Sequence, residues 1–189
     1  MKMTLFTALA AGLLVAGCVG PTPPTVTDRD NSRALAEAAR ISRLPQTQIN
    51  HLPTGTATYN GQIGADLRGD LQGSVLGDMS MVVNFDSGRV GGSIGNLNLI
   101  APSGRPDQAL GGNLAISGFE DRGNILAGAG GKITGVHSGG SGFASDVNLT
   151  LQGGVRDDLR RGDAVFGAVT GQGTGDVNLG FDGVFFGKR

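Results

Sequence analysis

The fold is decided by the stretch Phe143-Ala144-Ser145-Asp146-Val147-Asn148-Leu149-Thr150-Leu151-Gln152. Its apolar and polar residues alternate with a period of two, as in a β-strand that has one face in a core and the other in water. The apolar face carries Phe143, Val147, Leu149 and Leu151. A register slip of one residue would turn all four outward, so the pattern predicts which way this strand faces.

The same alternation recurs from residue 51 onward. Polar and glycine-rich turn signals separate the alternating stretches, and the 35 glycines of the chain permit the sharp coiling of a small barrel. The pattern therefore predicts an all-β domain at residues 51–189, an antiparallel β-barrel of about eight strands. In chain order the predicted strands are Thr56–Gly64, Met79–Phe85, Gly88–Ile100, Asn113–Phe119, Asn124–Thr134, Phe143–Gln152, Ala164–Gly173 and Val177–Phe185.

Two local features refine this prediction. The parity of the apolar residues changes between Ile94 and Leu97, which predicts a β-bulge near Gly95. The charged stretch Arg156–Gly162 is predicted to form a solvated turn between two strands.

The first residues have the features of a lipoprotein export signal. Lys2 supplies a positive charge, and Leu5–Ala16 is an uncharged apolar run, too short to span a bilayer as a helix. The following Leu14-Val15-Ala16-Gly17-Cys18 resembles the bacterial lipobox, in which the cysteine thiol accepts a diacylglycerol and cleavage occurs before it. We therefore predict a signal peptide at residues 1–17 and lipidation at Cys18. The alternative is an ordinary secretory signal with a chance cysteine.

Lipidation would make a membrane the first partner of the chain, because two or three acyl chains anchor strongly. Val19, and not an aspartate, follows the cysteine. We therefore expect a lipid anchor in the bacterial outer membrane, on its periplasmic face or at the cell surface.

Residues 18–50 are predicted to be a lipid-anchored tether with one short helix. The proline- and threonine-rich Val19–Thr27 reads as an extended, solvated linker. A helix is predicted over Ser32–Arg43, capped by Asn31 or Ser32 and ended by Pro45. The segment 28–45 is expected to be separable from the barrel without much loss of stability.

Three segments of the barrel region carry a shared pattern. Leu52–Gly61 reads Leu-Pro-Thr-Gly-Thr-Ala-Thr-Tyr-Asn-Gly, Met81–Ile94 passes from Asn-Phe through glycine into Val-Gly-Gly-Ser-Ile, and Phe181–Arg189 ends in Gly-Val-Phe-Phe-Gly-Lys-Arg. In this order they resemble the C-terminal barrel domain of the transferrin-binding protein B-like lipoproteins. The resemblance covers about residues 51–189 and implies an eight-stranded barrel in the cell envelope. The chain has room for one barrel and none for the handle domain of the transferrin receptors, so no binding residue is carried over.

Composition and motifs argue against several classes of function. Net charge is −1, from 15 basic and 16 acidic residues without a basic patch, so no nucleic-acid partner is expected. The two histidines, His51 and His137, lack a second ligand at metal spacing. A lone haem ligand, with Tyr59 or a methionine, is the alternative to two solvated loop histidines. We predict no enzyme activity, no cofactor and no metal site, since no catalytic motif is present.

Two functions remain for a lipid-anchored barrel. The first is a binding module that presents its loops or an edge to a protein or a small solute. The second is a structural or surface-coat lipoprotein without a dedicated ligand. An integral outer-membrane barrel is argued against by the absence of aromatic girdles. Eight strands enclose just enough space for side chains or one small ligand. If the inward side chains fill the barrel, no cavity remains for a small solute.

Overall fold

The computed structural model describes residues 20–158 and 161–189. The predicted signal peptide and the lipidation residue Cys18 lie outside the described residues. The elements are the helix α1 (Asp28–Ile41), a 3-10 turn (Ile49–His51) and nine strands. The strands are β1 (Thr56–Gly69), β2 (Gly73–Asn84), β3 (Arg89–Ile100), β4 (Pro106–Ala109), β5 (Leu114–Asp121), β6 (Asn124–Val136), β7 (Gly142–Asp158), β8 (Gly162–Gly175) and β9 (Leu179–Lys188).

Eight of these strands form a closed antiparallel barrel. Each pairs with its neighbours in the order β1-β2-β3-β5-β6-β7-β8-β9, and β9 returns to β1 with Lys188 opposite Asn60. The short β4 pairs only with the last residues of β3. The predicted eight-stranded antiparallel barrel is therefore confirmed.

The barrel interior is packed with the apolar faces that the alternation predicted. Along β7, Phe143, Val147, Leu149 and Leu151 are all buried, whereas the intervening Asn148 is exposed. The other buried members of this core that the alternation placed inward are Met79, Met81, Val83, Val177, Leu179, Phe181 and Phe185.

The predicted bulge is present beside the predicted residue. In the β2–β3 pair, Leu76 lies opposite Asn98 and Asp78 opposite Gly95, so two residues of β3 face the single Gly77. Asn96 adopts a left-handed conformation, with φ of 48°. A Cβ at Gly77 would lie 2.6 Å from Cδ2 of Leu97, so a larger residue there would have to displace the Leu97 side chain.

The prediction of a solvated turn over Arg156–Gly162 is wrong at its start, because β7 continues to Asp158. Residues 45–47, in the connector between α1 and the 3-10 turn, hydrogen-bond to this extension of β7. Beyond the first residue of β6 the connector pairs with the open edge of β7, where Thr47 N donates to Val155 O at 3.0 Å and Asp157 N donates to Pro45 O at 3.0 Å. This cover removes an unpaired strand edge, which would otherwise invite association.

Most residues of the predicted solvated linker that the structure describes are exposed, but residues 22–25 lie along the barrel wall instead of standing away from it. Ala109 N of β4 donates to Thr22 O at 2.9 Å, and Thr25 N donates to the Asn98 side-chain oxygen at 2.8 Å. Asn98 is fully buried under this segment. The described part of the linker is therefore a fixed strap.

Helix α1 begins one turn earlier than predicted, because Thr27 caps it in place of Asn31 or Ser32. The Thr27 hydroxyl accepts from Asp30 N at 3.3 Å, and the Asp30 carboxylate accepts from Thr27 N at 2.9 Å. This reciprocal pair is a capping box. The acidic Asp28 and Asp30 also suit the positive end of the helix dipole.

The helix packs against the outside of the barrel. Ile41 and Ala34 are buried against outward-facing Leu76, Ala164 and Phe186. Two ion pairs secure its C-terminal half: Arg40 to Asp158 of β7 at 2.6 Å, and Glu37 to Lys188 of β9 at 2.9 Å. These contacts argue against the expectation that segment 28–45 can be removed without cost. Among the described residues, none of the helical segments is long and apolar enough to cross a membrane.

Candidate binding groove

The interior of the barrel is not a ligand site. The cavity left among residues such as Ile63, Leu114, Leu149 and Phe181 has a volume of about 10 Å³. That volume is about what one water molecule needs, and ligand pockets usually measure about 300–1,000 Å³. This cavity is too small for a ligand, so the candidate binding surfaces are those on the outside of the described part of the barrel.

An open groove of about 180 Å³ runs between α1 and the barrel wall. Leu76, Val184 and Phe186 form its apolar floor, and Leu35 and Ala38 of the helix form one side. Leu35 is 66 % exposed although it is a large apolar residue. We call this feature the α1 groove.

The α1 groove exists because one patch of wall beside the helix has no side chain. Gly64 of β1 lies opposite Val184 of β9, and a Cβ on Gly64 would point into space with its nearest neighbours 4.0 Å away. Gly183, by contrast, is required for strand contact, since a Cβ there would lie 2.1 Å from Gly64 O.

The rim of the groove is charged. Asp66 and Asp182 face each other across the β1–β9 pair, and Arg68 donates to Asp182 at 3.3 Å. Two carboxylates and one guanidinium give this rim a net negative charge. A wider hollow continues past Arg68 toward Ile100 and Pro102. The groove can therefore accept an apolar side chain that has a basic group beside it.

A second apolar feature lies on another part of the wall. Phe119 of β5 and Leu126 of β6 are paired across the strands, and they are 57 % and 40 % exposed. Val82 of β2 is also partly exposed near a hollow over Gly91. Arg89 of β3 lies directly opposite Phe119 and lines the same hollow. The exposed apolar residues here are therefore interrupted by a cation, and α1 does not border them as it borders the α1 groove.

The structure does not bring the predicted ligand candidates together. His51 lies exposed in the 3-10 turn before β1. His137 follows β6, and its ring packs on Phe143 with the centroids 5.0 Å apart. Tyr59 points into the core. Within residues 20–158 and 161–189, no three His, Cys, Asp or Glu side chains are grouped as metal ligands.

Two further buried polar side chains, Tyr59 and Glu120, lie on the barrel strands. Burial is the main cause that raises the pKa of the Tyr59 phenol, and its hydroxyl has no hydrogen-bond partner among the described residues. The Glu120 carboxylate accepts from Gly123 N at 2.5 Å and so closes the β5–β6 turn. Neither group faces the α1 groove.

Two breaks in the apolar–polar alternation of the sequence indicate the groove. At Val75-Leu76 and Phe185-Phe186 two apolar residues stand side by side, so one of each pair must face outward. Both outward residues, Leu76 and Phe186, lie under α1. An apolar residue on the wet face of a strand predicts that another element covers that face.

Comparison of the chain with protein-family models, with curated proteins and with solved structures gives no match.

Proposed function

We propose that this chain is a lipid-anchored β-barrel binding module of the bacterial cell envelope, in the manner of the transferrin-binding protein B-like barrels that it resembles. The anchor would be the acyl chains on Cys18. The barrel would hold the α1 groove in position for a partner protein.

The observation that carries the binding role is the α1 groove itself. Its floor of Leu76, Val184 and Phe186 is apolar, and Leu35 is exposed beside it. An open apolar groove with a charged rim has a form that suits one apolar side chain of a partner protein. The volume of about 180 Å³ is too small and too open to enclose a solute, which favours a side chain of a protein over a small molecule.

The alternative is a structural or surface-coat lipoprotein, and one observation favours it. The barrel interior is filled, with a residual cavity of about 10 Å³. A filled barrel with a covered strand edge would serve as an inert coat as well as a scaffold. The two functions differ in whether anything occupies the α1 groove.

Site-specific photo-cross-linking in intact cells separates them. A photoreactive phenylalanine analogue at Leu35 would report on the groove, and the same analogue at exposed Thr150 on the far wall is the matched control. A binding module predicts one discrete cross-linked protein from Leu35 and none from Thr150. It further predicts that Asp182→Lys, which reverses a rim charge, weakens that cross-link severalfold.

Equal cross-linking at Leu35 and Thr150, or none at either, would contradict the binding role and favour a coat protein. Retention of the anchor is measured separately, by membrane fractionation of the same cells. The lipoprotein part and the binding part of the proposal therefore fail independently.

A further inference from the structure

The two ends of the barrel carry different sets of turns. One end carries the turns at residues 70–72, 101–105, 137–141 and 176–178, and we call it the Gly140 end. The other carries the turns at 85–88 and 122–123 together with Arg189, and we call it the Gly88 end.

The N-terminal strap meets the barrel at the Gly140 end. Gly20 and Thr22 line an open hollow there together with Gln108, Gly140 and Phe143. The strap is fixed from Thr22 onward, because Thr22 O accepts from Ala109 N at 2.9 Å. It then runs over β3, where Thr25 bonds to Asn98, and enters α1.

Only one residue separates Cys18 from Gly20. Two residue steps of extended chain reach at most about 7 Å. We propose that the acylated protein lies with the Gly140 end directly against the bilayer surface and with the Gly88 end pointing away from it. This orientation rests on the lipidation of Cys18 in the proposed function.

A free linker would impose no such orientation. Nine extended residues over 19–27 would hold the barrel roughly 28 Å from the lipid and let it rotate. In this protein the hydrogen bonds of Thr22 and Thr25 hold the segment against the barrel wall, so it does not extend toward the lipid. The strap therefore shortens the anchor to the residues before Thr22.

The chemistry of the Gly140 end permits close approach to lipid headgroups. The tip Ser138-Gly139-Gly140-Ser141 has no charge. The carboxylates of Asp70 and Asp176 accept from backbone N–H groups of Asn178 and Ala144, at 2.8 Å and 2.9 Å. The turns of the Gly140 end hold three charged residues, these two aspartates and the exposed Arg105, whereas the Gly88 end carries Asp86, Asp121, Arg122, Lys188 and Arg189.

Fluorescence quenching on the acylated protein in phosphatidylcholine vesicles tests the orientation. Cys18 is the only cysteine, so once it is acylated a single Ser138→Cys or Ser87→Cys variant takes one thiol-reactive fluorophore. Both serines are exposed in hairpin turns, one at each end of the barrel. The length of the tilted strands separates the two positions by roughly 30 Å. A nitroxide on the lipid headgroup should quench the label at 138 severalfold more than the label at 87.

A longer anchor provides the control. Insertion of 20 Gly/Ser residues between Val19 and Gly20 should reduce quenching at 138 to near the value at 87. Equal quenching at the two positions, stronger quenching at 87, or a pattern unchanged by the insertion would overturn the proposal.

Mass spectrometry of the N-terminal peptide and vesicle flotation distinguish this failure from that of the proposed function. A chain that is not acylated and does not float contradicts the anchor, and the orientation falls with it. A chain that is acylated and floats but gives the wrong quenching pattern contradicts the orientation alone.

Discussion

Single residues of β7 alternate between the packed interior and water, so neighbours along the chain contribute very differently to stability. Leu149 is buried among the core residues, whereas Asn148 points outward and is exposed. We expect Leu149→Ala to lower the free energy of unfolding by about 2–5 kcal/mol, because it leaves a cavity in a filled barrel. Asn148→Ala should stay within about 0.5 kcal/mol. Urea melts measure both, and equal costs would contradict a wall with one dry face.

The single tyrosine allows a second test at one residue. The chain has no tryptophan and only Tyr59, so its near-ultraviolet absorbance reports one phenol. Burial raises the pKa of that phenol above its ordinary value of about 10. Above about pH 10 the unfolded chain ionises while the folded chain stays neutral, so stability falls as the pH rises.

Phenolate absorbance should therefore appear together with the loss of β-sheet circular dichroism in an alkaline titration. A phenolate signal that rises near pH 10 while the circular dichroism is unchanged would show that Tyr59 is accessible to solvent in the folded protein.

Among the elements, α1 contributes most where its residues touch the barrel. Ile41 is fully buried against the wall, and Leu35 of the same helix is exposed. Ile41→Ala should lower the free energy of unfolding by about 2–5 kcal/mol, and Leu35→Ala by less than about 0.5 kcal/mol. Thermal or urea unfolding of the pair measures the difference. A small effect at both positions would restore the view that segment 28–45 is separable.

The ion pairs of α1 add a pH dependence. Hydrogen bonding to Arg40, assisted by Lys188, lowers the pKa of the Glu37 carboxyl to about 2 from about 4.5. The folded-state pKa lies below the unfolded one, so the stabilisation is complete above about pH 4.5 and is lost as the pH falls toward 2.

Glu37→Gln should therefore be less stable than the parent by roughly 1–2 kcal/mol at pH 6 and about equal to it near pH 2. That magnitude is discounted from the full shift, because the carboxylate is 23 % exposed. Chemical denaturation at the two pH values measures the comparison, and a difference that does not change with pH would rule out the charged interaction as its source.

For the whole molecule, the proposed membrane anchor can be tested at Cys18. Cys18→Ser should abolish labelling by a palmitate analogue and move nearly all of the protein from the membrane to the soluble fraction. The double variant Cys18→Ser, Ser138→Cys controls for the presence of a thiol elsewhere, and it should remain unlabelled. Continued labelling or membrane retention of Cys18→Ser would show that the lipobox interpretation is wrong.

The barrel could be predicted from sequence because its evidence is local. In β7 the facing of Leu149 against Asn148 is read from adjacent residues, and a bulge follows from a change of parity next to Gly95. The docking of α1 could not be predicted, since its inner face is mostly small alanines such as Ala34 and its partners Leu76 and Phe186 are distant in sequence. The α1 groove is a product of that docking, so it appears only in three dimensions.

The closure of the barrel also sets the timing of its folding. Among the described residues, β1 and β9 are the first and last strands in sequence, yet they pair, with Asn60 opposite Lys188. The ring cannot close until residue 188 is available, and pairing across so long a separation is slow. Until β9 is available, β1 and β8 each keep one unpaired edge, and unpaired strand edges are the surfaces through which β-proteins associate.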